Sequence, residues 1–177
     1  MSEFQKKSFP RAGEGSYFDH GYLRYMKLKA GSGNVGFLVE KGMPRFKLFS
    51  NDPAEKDKGG ITIKMNPHHL HILHDMIYAV ADKKIPHGIV LDLTDHDFFG
   101  GQRSEAPSIQ AKIIIRRNEH SCVEMVFHAK KRQALTLDFA QKFDWHEISS
   151  VEGGDVPAPV KSEFNAKAIA ADWLSLL

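Results

Sequence analysis

Short runs of β-type residues recur along this chain in an order that narrows the possible folds more than any other feature. Four come first: Tyr22–Lys29, Val35–Lys41, Arg45–Ser50 and Ile61–Met65. The last of these, ITIKM, alternates apolar and polar side chains with the period of two that marks a half-buried strand. Gly31-Ser32-Gly33-Asn34 and Gly42-Met43-Pro44 separate the first three runs and carry the turn chemistry of hairpins. Asn66-Pro67 then reads as a helix start, with an N-cap and a proline in the first turn. Leu70, Leu73, Ile77 and Val80 fall on one face of that helix, which the spacing predicts over Pro67–Lys84. Lys83 and Lys84 suit its negative end, and Pro86 stops it.

The pattern then begins again. Ile89–Thr94, Lys112–Arg117, Val123–His128 and Ala134–Phe139 are four more β-type runs, and Glu163–Leu177 has the spacing of a short amphipathic helix. The segment through Phe98, Phe99, Gly100 and Gly101 reads as a long loop. Its rings would either insert between bases or pack on a sheet. The expectation is an α+β chain: two antiparallel four-stranded sheets, each followed by a helix, in a pseudo-duplicated ββββα arrangement. Each half is too small to bury a core alone. A single eight-stranded sandwich or barrel without duplication is the alternative. The expected organisation is a flexible N-terminal arm at 1–21, a binding domain at 22–148 with repeat-like halves 22–84 and 89–143, and a segment at 149–177. That last segment holds the Pro157/Pro159 linker, the helix and a flexible acidic C-terminal tail.

At 177 residues with 42% hydrophobic and 26% charged side chains, the chain has an ordinary globular composition. No run of eighteen apolar residues calls for a transmembrane helix, and Met1–Gly15 lacks the apolar stretch of a signal peptide. Cys122, the only cysteine, excludes an internal disulfide and a multi-cysteine zinc site. It suits a reducing, cytoplasmic setting, which would be the host cytoplasm for a viral protein. In its β-type run it reads as a small buried hydrophobe. The net charge of +2 is unevenly spread: Met1–Phe143 has 22 Lys and Arg against 16 Asp and Glu, and Asp144–Leu177 has six acids against two bases. A body of +6 with a tail of −4 is a common arrangement in polyanion binders.

The order of elements resembles the Whirly family and its relative, the transcription coactivator positive cofactor four. Gly59-Gly60-Ile61-Thr62-Ile63-Lys64-Met65-Asn66-Pro67 carries the local likeness: a glycine- and lysine-bearing loop, an apolar strand and an Asn-Pro helix start. The resemblance implies a largely sequence-independent single-stranded DNA binder, acting in replication or recombination, with RNA as a second target and a homodimer or higher oligomer as its assembly. The closing Asp172-Trp173-Leu174-Ser175-Leu176-Leu177 is similar to the tails of phage and viral single-strand binders. Asp172, Trp173, Leu174 and Leu177 are therefore the candidate contacts to replication or recombination proteins.

Cations that meet phosphates and rings that stack on unpaired bases are the chemistry such binding requires. The candidates are Tyr25, Lys27, Arg45, Lys47, Phe49, Lys64, Lys112, Arg116, Lys130 and Arg132, drawn from the alternating strands and from the Lys130-Lys131-Arg132 turn. No cofactor, metal or membrane is implied, and no Walker-type loop, GxGxxG or GxSxG appears. His68, His71 and Asp75 share a helix face but lack a clear fourth zinc ligand. Asp95-His96-Asp97 is the one arrangement that would suit a metal-dependent nuclease. The other rivals are an oligonucleotide-fold barrel with the same role and a non-enzymatic structural or assembly protein.

Overall fold

A computed structural model of the chain describes residues 22–29, 33–50, 52 and 59–177. The expected arm at 1–21 and the side chain of Tyr25 lie outside them. The first sheet is a meander of β1 (Tyr22–Lys27), β2 (Asn34–Glu40), β3 (Met43–Phe49) and β4 (Gly60–Lys64), followed by α1 (Pro67–Ala81). The second is a meander of β5 (Ile89–Phe99), β6 (Gln102–Arg117), β7 (Val123–Ala129) and β8 (Leu135–Asp138), and after it comes α2 (Ala158–Ser175). All neighbouring strands are antiparallel. The α+β expectation of two four-stranded sheets, each followed by a helix, is what the chain forms. The described strands form two separate meanders, which is not the closed barrel of the alternative.

Alternation along the strands decides what is inside. Pro44, Phe46 and Leu48 of β3 are buried, while Arg45, Lys47 and Phe49 between them are only half-buried. Ala111, Ile113 and Ile115 of β6 repeat the pattern. The inner faces of both sheets and both helices contribute to one apolar cluster. Trp173 sits at its middle, with ring centroids 5.6 Å from Phe37 and 4.9 Å from Phe46, and Phe46 lies 5.0 Å from Phe127 of the other sheet. Neither half closes its own core, so the halves stand or fall together. Cys122 is buried, as its β-type surroundings suggested.

The C-terminal region corrects the expectation of a flexible acidic tail. Ala158–Ser175 is an eighteen-residue helix with Pro157 as its N-cap and Pro159 inside its first turn. The two prolines that suggested a linker instead start a helix, where a missing N–H costs nothing. Buried polar groups dock it: the Val123 amide donates to Ser162 Oγ at 2.9 Å, and Asn165 Nδ2 donates to the Phe139 carbonyl at 2.8 Å. Trp173 is 1% exposed, so the folded chain does not offer its indole to a partner.

Arg117 closes the opposite end of the helix pair. Its guanidinium donates to the Val80 and Ala81 carbonyls at the end of α1, at 3.1 and 2.9 Å, and to Glu163 of α2 at 2.8 Å. Lys83, in the left-handed region at φ 60°, turns the chain out of α1 three residues earlier than the periodicity predicted. Gly88 then admits the chain to β5 at φ +99°, where a Cβ would meet Arg116 Cβ and the Ile115 carbonyl at 2.7 Å.

Candidate nucleic-acid interface

The register of the first sheet places its cations. Arg45 stands between Leu38 and Lys64, Lys47 between Gly36 and Thr62, and Phe49 between Asn34 and Gly60; Lys27 lies across Asn34 from Phe49. Directly paired residues share a face and residues two apart along a strand share it too. Lys27, Arg45, Lys47, Phe49 and Lys64 therefore all project from the outer face, opposite the core. Lys27 and Lys64 are exposed; Arg45, Lys47 and Phe49 are half-buried. Cations along β3 are about 7 Å apart and neighbouring strands about 5 Å apart. Arg45 pairs with Glu40 at 2.7 Å. Lys27, Lys47 and Lys64 have no ion-pair partner among the described residues.

The two outer faces meet along a seam. Beyond β1 the Lys29 amide donates to the Thr136 carbonyl of β8 at 2.7 Å, and Gln141 Nε2 donates to the Lys27 carbonyl at 3.1 Å. Lys29, two residues past Lys27, reaches Glu124 on the outer face of β7 at 3.4 Å. Glu124 is 1% exposed and also accepts from Arg116 Nε at 2.7 Å. Lys29, Glu124 and Arg116 thus form a chain of ion pairs across the seam, with Asp138 beside Glu124 on the same face. Lys29 belongs to the same alternation as Lys27 and is the cation at the join.

The remaining candidates divide. Lys112 and Arg116 lie on the outer face of the second sheet, but each faces a carboxylate, Asp92 at 3.7 Å and Glu124 at 2.7 Å. Lys130 is spent on Asp97, 2.7 and 2.8 Å from its two oxygens. Arg132 is half-buried in the β7–β8 connection. In the closing helix Trp173 is core, Leu174 is half-buried, and Asp172 and Leu177 are exposed.

Of the residues that raised the metal and nuclease alternatives, His68 and His71 are exposed, while Asp75, His96 and Asp97 make local hydrogen bonds. His69 Nδ1 accepts the Asn66 amide at 3.3 Å at the start of α1, and His74 contacts Asp75 at 3.0 Å. The Lys130 hydrogen bond, with Ser108 and Gln110 helping, holds the Asp97 carboxyl far below the usual carboxylate range. Among the described residues no group of three or more His, Cys, Asp or Glu could hold a metal ion, and no helix is long and apolar enough to cross a membrane.

Phe98 and Phe99 are the feature placed least well by the sequence. Strands β5 and β6 run on past the expected loop, and Gly100-Gly101, at φ 57° and 83°, make the two-residue turn between them. The Gly-Gly pair was the available signal. The rings do not pack on the sheet: Phe98 is 67% and Phe99 74% exposed. No protein family, curated protein or solved structure matches the chain.

Proposed function

We propose that the outer face of the first sheet binds single-stranded nucleic acid, largely without regard to sequence, and that the chain protects or organises single strands rather than transforming a substrate. The observation that carries this is the grouping of Lys27, Lys47 and Lys64 on one face with no carboxylate paired to them among the described residues. Cations left unpaired in a folded protein keep their full attraction for a polyanion, whereas Lys112, Arg116 and Lys130 already face carboxylates. Phe49 stands half-buried in the same array. The likeness to the Whirly family points the same way, and replication or recombination is the setting it suggests.

Alanine at Lys47 and Lys64 together should weaken binding to a fluorescent dT oligomer by tenfold or more at ~50 mM salt. The weakening should be nearly uniform across base compositions, because phosphate contacts carry little sequence information. Alanine at Lys112 should matter less, since Asp92 already faces that cation. Equal affinities for wild type and the Lys47/Lys64 double variant would remove the proposal.

A further inference from the structure

The β5–β6 hairpin leaves the body as an arm. No residue from Thr94 to Gln110 is buried, whereas Leu93 and Ala111 at its base are core. A two-stranded ribbon without an apolar face is marginal in water, and this one is braced by polar groups. Two bulges interrupt its register. At the second, Asp97 alone faces Ser104, Glu105 and Ala106. The Asp97 amide donates to Ser104 Oγ at 3.1 Å, Ser104 Oγ donates to the Ala106 carbonyl at 2.7 Å, and His96 Nδ1 lies 2.8 Å from the Ser104 carbonyl. Gln110, Ser108 and Lys130 all bond to the Asp97 carboxylate, and the Lys130 amide donates to the Gln110 carbonyl at 2.8 Å. The arm is thus fixed to the end of β7 while it holds two phenylalanines in water.

The tip has a composition that selects among partners. Phe98 is directly paired with Arg103, and Phe99 with Gln102. Each pair shares a face, and the two pairs lie on opposite faces of the ribbon. The rings therefore do not merge into the contiguous apolar patch a protein partner would need. One face instead presents a ring beside a guanidinium, which matches a base beside its phosphate. Asp97 is occupied by Lys130, while Glu105, two residues beyond Arg103 on β6, is exposed. Lys112 and Arg116 lie on the strand that joins the arm to the seam with the first sheet.

We infer that the arm's tip is a second contact for single-stranded nucleic acid, with Phe98 and Phe99 stacking on unpaired bases and Arg103 meeting the backbone. It rests on the single-strand function proposed above, and the experiment separates the two. Full-length wild type, Phe98→Ala/Phe99→Ala, Arg103→Ala and Lys47→Ala/Lys64→Ala are titrated with a fluorescent dT 20-mer and with an abasic 20-mer of the same charge. The phenylalanine variant, altered only in water-exposed side chains, keeps the wild-type melting temperature. It loses roughly 5- to 100-fold in affinity for dT and little for the abasic strand, so the two oligomers converge. Arg103→Ala weakens both oligomers. Unchanged dT binding by the phenylalanine variant, with the lysine variant weakened, overturns the tip contact and leaves the sheet face standing. Loss of self-association in sedimentation with dT affinity intact makes the tip a protein contact and also overturns it. No binding of either oligomer by wild type removes both proposals.

Discussion

Asp97 and Lys130 show how much one ion pair determines locally. Sequence alone offers Asp97 as a metal ligand and Lys130 as a phosphate contact, and the fold uses each to satisfy the other. Neither role was readable beforehand, because the pairing depends on a bulge that turns one residue of β5 towards the end of β7. The consequence is a pH dependence of defined sign. The folded carboxyl is held below its unfolded range, so its stabilisation is complete above about pH 4 and fades as pH falls below that. The protection factors of amides in residues 94–110 should therefore fall between about pH 4 and pH 2, ahead of those in the core strands. In Asp97→Asn the same amides should be poorly protected at neutral pH and lose no further protection over that window. An arm equally protected in both proteins would contradict the bracing role.

At the scale of elements, strands were read well where one face is core and the other is wet. In β3 and β4 the alternation of side chains is enough to place both ends within two residues. The distal β5–β6 arm escaped because both its faces meet solvent, so 95–110 carries no apolar period to find. Helix α2 was recognised only from Glu163 onwards, since Pro157 and Pro159 look like a linker when the partner surface is unknown. Trp173 misled for a related reason: an indole near an acidic chain end resembles a detachable anchor until Phe37 and Phe46 are seen around it. Trp173→Ala should cost about 3–5 kcal/mol in urea unfolding, the usual price of a large core cavity. Leu177→Ala, at the exposed end of the chain, should cost under about 1 kcal/mol. Equal small effects would return the helix to the status of a loose tail.

The whole molecule joins two similar halves through a common core and a polar seam, and its charge follows that division. The sequence supplied the candidate cations but not the pairing that sorts them. Lys112, Arg116 and Lys130 look equivalent to Lys47 and Lys64 in the chain, yet the first three face carboxylates in the fold. Only the cross-strand register reveals that Lys27, Arg45, Lys47, Phe49 and Lys64 share a face. That sharing is the central claim, and the salt dependence of binding reads it most directly. Association of the full chain with a dT 20-mer should weaken linearly in log–log form as salt rises from ~50 mM. For Lys47→Ala/Lys64→Ala the slope should be shallower by about 1.4, at roughly 0.7 per phosphate contact on a single strand. A slope unchanged by the two substitutions, or no association at ~50 mM salt, would contradict the assignment of this face.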